Sequence, residues 1–246
     1  MQETLDKLDG YAGTYRRSSP YDDYMREYTF REFIPFLDVK KAHALELGCS
    51  DGQMTERIAR HCVSVDVVDG SARFIEEAKG RNISNATFHH SLFTDYRSEK
   101  KYDYIFATYI LTHVSDLLLF FEKVRGCMHE RSLLFIAVPN TRVLSRQLAL
   151  HMGLLQDLFS LSENDRNHGH LRAYDRVRLD RDIENNGMGI IAKGGILLKP
   201  LADFQMDELI RNQILQPEQM NGLWKLGKEY PELAGVIYSI CRKQER

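Results

Sequence analysis

Three features of the 246-residue chain predict a doubly wound α/β domain, a seven-stranded and mostly parallel sheet with helices on both faces. Strand-like and helix-like segments alternate over short connections. The strand-like runs are near-continuous in apolar residues, as strands buried on both faces must be. The alternation holds as far as Asn140 and then breaks, which marks an insert after the fifth strand.

Taken in order, residues 1–39 are polar with tyrosines at 11, 15, 21, 24 and 28, and read as an N-terminal helical cap. Within them "YDDYMREYTFREFIPFL" has apolar residues at helical spacing. The main domain, 40–246, begins with the buried strand "AHALELG" and the helix "DGQMTERIARHC". "VSVDVVD" is a second, β-branched strand, and "SARFIEEAKGR" a helix with Ser71 placed to cap it. "ATFHHSL" is the third strand, "YDYIFATYI" the fourth, "LLLFFEKVRGCM" a helix and "SLLFIAVPN" the fifth strand. The insert at about 140–175 reads as a helix followed by a polar loop, and is expected to act as a helical lid over the acceptor. "RVRLDRDIENNGMG" resumes as a helix. "GIIAKGGILLKPL", with a bulge or turn at Gly194-Gly195, and "LAGVIYSICRK" supply strands six and seven.

Composition narrows the function. Hydrophobic residues make up 43% of the chain, and 33 basic residues nearly balance 35 acidic ones for a net charge of −2. With no long basic run, nucleic acid is not the expected partner. The N-terminus lacks the apolar core of a signal peptide. Runs such as "LLLFF" fall far short of the ~20 residues that span a bilayer. Four scattered cysteines without a CxxC pair read as reduced thiols of a cytoplasmic protein. No membrane association is expected.

The stretch "ALELGCSDGQMTERIA" carries the chemistry. A glycine-lined turn between a strand and a helix lets a ligand approach the backbone closely. Phosphate is one such ligand, but Glu46 at the entrance would repel a pyrophosphate and attract an ammonium or sulfonium. Counting from Gly48, serine also stands where a dinucleotide fingerprint needs its second glycine. Asp69, ending the second strand, sits where such sheets bond the two hydroxyls of a ribose. A ligand with a ribose, a positive centre and an amino-acid ammonium fits both acids. S-adenosylmethionine is that ligand.

Here the chain resembles the class I S-adenosylmethionine-dependent methyltransferases of small-molecule type, over roughly residues 40–140. "LELGCSDG" is similar to their E/D-x-G-x-G-x-G motif, with Ser50 at the middle glycine. "VVDGSARFIEEA" resembles the second motif, "KYDYIFATYILTHVSD" the fourth-strand motif, and "LFIAVPN" the fifth-strand ending. The resemblance implies a Rossmann-like methyltransferase fold, S-adenosylmethionine as cofactor and S-adenosylhomocysteine as product. It implies that Glu46 and the turn Gly48, Cys49, Ser50 and Gly52 hold the methionine moiety. It puts the ribose on Asp69 beside Gly70 and Ser71, the adenine beside Ser91 and Leu92, and cofactor and acceptor at Thr108 and Tyr109.

The acceptor is expected to be a small hydroxylated or phosphorylated metabolite, such as a sugar, a polysaccharide precursor or a quinone-type compound, methylated on oxygen. "VPNTR" lacks the second proline and the tyrosine of amide and nucleobase methylases. N-methylation, RNA methylation, a non-catalytic cofactor-binding partner and a nucleotide-sugar oxidoreductase are the rivals. His113 and His170 are the candidate bases, and spacing does not choose between them; His113 could equally bond a backbone carbonyl. His168, His170, Tyr109 and Tyr174 are expected to line the acceptor. The alternative readings are that Glu46 pairs with a core arginine such as Arg31 and that Asp69 simply caps a helix. His168 and His170 are spaced like a metal pair on a strand but lack a third ligand, so no metal is expected. Adjacent on one strand, His89 and His90 must face opposite ways. The arginines 172, 176, 178 and 181 alternate with acids and read as a solvated helix face. A homodimer is left open.

Overall fold

The computed structural model describes residues 8–10, 19–38 and 41–244. Tyr11, Tyr15 and the expected boundary at 39/40 lie outside the described residues. The sheet has the order β3-β2-β1-β4-β5-β7-β6. Its strands are β1 (His43–Leu47), β2 (Ser64–Asp69), β3 (Ala86–His90), β4 (Tyr102–Thr108), β5 (Met128–Pro139), β6 (Met188–Leu198) and β7 (Ala234–Lys243). The pairings β3-β2, β2-β1, β1-β4 and β4-β5 are parallel, and β7 runs antiparallel to both β5 and β6. The strand order reverses between β1 and β4, so the ligand crevice of such a sheet opens beyond the carboxyl ends of these two strands.

Helices cover both faces. They are α1 (Pro20–Phe33), α2 (Gln53–Ala59), α3 (Ala72–Lys79), α4 (Leu117–Cys127), α5 (Leu144–His151), α6 (Glu163–Asn167), α7 (Arg176–Asn185), α8 (Asp203–Arg211) and α9 (Pro217–Glu229). Caps fix their starts: Ser19 accepts from Asp22 N–H ahead of α1, Ser71 from Phe74 N–H ahead of α3, and Asp116 from Leu119 N–H ahead of α4. One apolar layer gathers Phe33, Ile58, Val65, Val67 and Phe106 under α1 to α3. The other gathers Leu45, Ile105, Leu134, Phe121 and Leu179 under α4 and α7.

Three expectations change, and the turn after β4 takes a form of its own. The stretch between strands six and seven, to which the sequence assigned no element, forms α8 and α9. These helices anchor α1: Asp207 accepts from Ser19 Oγ and Tyr21 N, and Trp224 Nε1 donates to the buried Glu32. Gly194 and Gly195 are neither bulge nor turn, because β6 runs through them and its register shifts at Ile190/Ala192. Glycine is needed there for close packing, since a Cβ would lie 2.8 Å from the Tyr238 ring at Gly194 and 2.5 Å from Pro231 Cα at Gly195. The polar loop "SENDRNHG" contains α6, closed by a capping box between Ser162 and Asp165. His113 ends a 3-10 turn, Leu111–His113, and α4 starts only at Leu117.

Gly52 positions the site through packing. It caps α2 in the left-handed region at φ 78°, and an added Cβ would meet Ala78 Cα of α3 at 2.8 Å. Gly52→Ala is therefore expected to push α2 from α3 and to strain the turn, at about 2 kcal/mol or more. Urea unfolding with an unchanged slope and a lowered midpoint would register that loss.

Candidate functional site at the switch point

Glu46 sits at the core of the crevice, fully buried on β1. Its Oε2 accepts from the Thr55 hydroxyl at 2.5 Å, and its Oε1 has no hydrogen-bond partner. Burial raises its carboxyl to a pKa of about 8, opposed by the Thr55 bond and reinforced by the charges of Asp69 and Asp51. The alternative pairing with Arg31 does not occur, because Arg31 bonds Glu27. Ionised, such a buried oxygen without a donor costs free energy unless something cationic reaches it, so in the ligand-free fold the carboxyl keeps its proton.

The turn after β1 wraps around a second acid. Asp69 Oδ2 accepts from Cys49 N–H and Oδ1 from Ser71 N–H, both at 2.8 Å. One carboxylate thus ties the glycine turn to the start of α3. Burial raises its pKa although the backbone bonds to Ser71 and Cys49 oppose the shift. Gly48 donates to Val68 O and is left-handed at φ 82°, and a Cβ on it would meet Ile110 Cγ2 at 2.6 Å. Ser50, where the motif has glycine, also adopts the left-handed region at φ 47°. Burial pushes the Cys49 thiol well up, so it is an apolar wall rather than a nucleophile.

Beyond β2, Ser91 N–H donates to Asp69 O, and Ser91 Oγ to Leu92 O. His90 Nε2–H donates to the Gly70 carbonyl at 3.1 Å. His89 lies 3.4 Å from Asp66, on the other side of the strand. Asp9 accepts from Ser71 Oγ at 2.6 Å, which brings residues 8–10 over this end of the crevice. At the end of β4, Thr108 is buried, and Tyr109 is left-handed at φ 63° with its hydroxyl 2.6 Å from Thr29 Oγ1. Burial pushes Tyr109 up to about 12. Thr29 and Thr55 are partners that sequence reasoning missed; a threonine three residues after Gly52, on the inner face of α2, is the signal for the second.

The two candidate bases meet. The rings of His113 and His170 are 4.9 Å apart, edge to face, and those of His168 and His170 are 6.4 Å apart. His113 Nδ1 donates to Gly169 O, and burial, with His170 nearby, lowers its pKa to about 4. His113 is therefore neutral near pH 7 and a weak base. His170 Nδ1 lies 3.3 Å from Asp165 Oδ1. Burial opposes ionisation of Asp165, but bonds from His170 and Ser162 and the Arg146 charge hold it well below the usual carboxylate range. Gly169, at φ 76°, makes the turn between the histidines. His168 bonds Asn164 O within its own helical turn. Tyr174 is 1% exposed, bridged to Asn140, with its ring in the layer under α7 and its hydroxyl beside Arg172 and Asp182. Among the described residues no group of three His, Cys, Asp or Glu could hold a metal ion. No helix among them is long and apolar enough to cross a membrane.

Comparisons with known proteins agree with this geometry. A family model described as a methyltransferase domain matches residues 21–193. The chain is 29% identical over 168 residues to the ubiquinone biosynthesis O-methyltransferase of Chelativorans sp. (strain BNC1), covering 65% of this chain and 63% of that protein. It thus spans a little under two thirds of that relative's length. Among solved structures, the DhpI complex with SAH superposes with a TM-score of 0.63 at 16% identity, over 100% of this chain and 97% of that one. The N-methyltransferase NodS from Bradyrhizobium japonicum WM9, in complex with S-adenosyl-l-homocysteine, gives 0.60 at 13% identity, over 99% and 98%. At such identities these two likenesses speak for the fold.

Proposed function

Because the chain belongs to the family of methyltransferase domains, we propose that it transfers the methyl group of S-adenosylmethionine to an oxygen of a small metabolite, namely a sugar, a polysaccharide precursor or a phosphorylated compound. The observation that carries this reading is Glu46 Oε1, a buried carboxyl oxygen without a hydrogen-bond partner at the glycine turn. An amino-acid ammonium satisfies it and a pyrophosphate does not. When bound, S-adenosylmethionine supplies an electrophilic methyl on a cationic sulfur.

The chain's own residues supply the rest. Glu46 and the Gly48–Gly52 turn hold the methionine end, Asp69 with Gly70 and Ser71 the ribose, and Ser91 and Leu92 the adenine edge. Thr108 and Tyr109 close the crevice towards the acceptor. Holding donor and nucleophile in near-attack geometry is worth about 7–11 kcal/mol. For a hydroxyl acceptor, His170 takes the proton: Asp165 orients its Nδ1–H, which leaves Nε2 as acceptor. His113, tied to Gly169 and neutral, buttresses the His170 ring. The scattered free cysteines fit a cytoplasmic place for this chemistry.

An amine acceptor is the second reading, favoured by likeness to NodS, whose name is that of an N-methyltransferase. His170→Ala separates the two. On the oxygen reading, adenosylhomocysteine affinity stays while turnover or acceptor KM suffers at least about tenfold, or about 1.4 kcal/mol. Wild-type kinetics would remove His170 from the chemistry. The cofactor itself is tested by thermal shift: S-adenosylmethionine is expected to raise the melting temperature, and stabilisation by NADH in its place would overturn the reading.

A further inference from the structure

The arginines that the sequence presented as a solvated helix face do something else. Arg176 is buried, and its guanidinium donates to Tyr238 O, Gly194 O and Ser239 Oγ. The other three line a cleft of about 340 Å³ between α7 and the segment entering it, with Tyr174, Ala173 and a single acid, Asp182.

Behind the cleft wall Arg172 Nε and Tyr174 Oη are buried, with the Tyr174 hydroxyl set against Arg172 and Asp182. The Arg172 guanidinium is fixed from behind, because its Nη2 donates to Val114 O at 2.5 Å and Ser115 O at 3.0 Å. Arg178 lies flat on the Phe159 ring, 3.5 Å from its centroid, so the edges of its guanidinium are presented sideways. Asp182 is paired with Arg181 at 3.1 Å. Among the described residues no ion pair involves Arg172 or Arg178. The cleft therefore presents two guanidinium charges that no ion pair engages, with Arg172 held in place before any ligand arrives. Such a set suits a planar or tetrahedral oxyanion.

We propose that this cleft binds a phosphate monoester group and that the group belongs to the methyl acceptor. The second half rests on the methyltransferase reading above. His170 and Arg172 stand two residues apart on the segment that leads into α7, and both dock on the turn after β4, His170 with its ring against His113 and Arg172 donating to Val114 O and Ser115 O. Two residues of chain span at most about 7 Å. A metabolite of sugar-phosphate size can therefore reach from the cleft to the His170 imidazole. The acceptor class narrows to phosphorylated small molecules, with the phosphate as the handle and a hydroxyl as the nucleophile.

The test titrates inorganic phosphate into the full-length protein against chloride at equal ionic strength, for wild type, Arg172→Gln and Arg178→Gln. Arg178 is exposed on α7, so its variant folds even if the loss of the Arg172 anchor disturbs its loop. Phosphate affinity is expected to fall at least tenfold in both variants, with adenosylhomocysteine affinity within twofold of wild type. Phosphate binding that is missing in the wild type, or unchanged in Arg178→Gln, would overturn the site. A second arm offers labelled S-adenosylmethionine and a metabolite extract, before and after phosphatase treatment. Label that disappears with phosphatase supports the acceptor assignment, and label unaffected by it overturns that assignment and makes the site one for free phosphate. Failure of the wild type to bind adenosylhomocysteine would instead strike the methyltransferase reading, in a separate titration.

Discussion

Glu46→Gln is expected to cost the protein most of its affinity for adenosylmethionine while making the ligand-free fold more stable above neutral pH. Both effects come from one buried carboxyl whose pKa is raised to about 8 from an ordinary 4.5. Between those two values the folded chain holds a proton that the unfolded chain has released. Stability therefore falls as pH rises through that window. Glutamine can still accept from Thr55 and carries no charge to desolvate, so the variant's melting temperature should lose this slope. The binding loss has the opposite origin. A cationic amino group favours the ionised carboxyl, and a charge-assisted hydrogen bond is worth about 1.5–3 kcal/mol. Binding to the wild type should also release a proton below pH 8, so calorimetric heats should vary with the buffer's ionisation enthalpy. A variant that binds as tightly as the wild type would remove Glu46 from the donor site.

Asp69→Ala should damage fold and binding together. Its carboxylate accepts from both Cys49 N–H and Ser71 N–H. Alanine leaves two buried amides without acceptors, at about 1–3 kcal/mol each. The turn between β1 and α2 then loses its tie to α3, and the ribose loses its partner. Asp69→Asn keeps one acceptor and discriminates the two effects: it should restore much of the stability and little of the affinity. Thermal melts and adenosylhomocysteine titrations of both variants read this directly. Equal affinity in all three proteins would end the ribose assignment while leaving Asp69 as scaffold.

Strands β1, β2, β4 and β5 were legible because they are largely buried and so read as apolar runs, whereas the edge strand β3, which has no buried residue, was legible from its place in the strand–helix alternation. The glycine turn was legible because its acids and glycines are local in sequence. What escaped depends on distant partners. Helices α8 and α9 carry few buried apolar residues, among them Met206 and Met220, and have Ala202 and Gln216 at their cap positions rather than a strong capping residue. Arg176 reads as a surface residue until β6 and β7 bring it two backbone carbonyls. His113 and His170 are 57 positions apart, and only docking of Gly169 and Leu171 on the turn after β4 brings their rings together. Spacing could not rank them as bases; burial of one and the carboxylate beside the other does.

The central claim is that the crevice between β1 and β4 is built for an amino-acid nucleoside with a positive centre. The structure of the protein with adenosylhomocysteine bound tests it most directly. The ligand's ammonium is expected within hydrogen-bonding distance of the Glu46 side of the turn and its ribose hydroxyls on Asp69. A ligand seated elsewhere, or one whose ammonium and ribose leave both acids untouched, would contradict it.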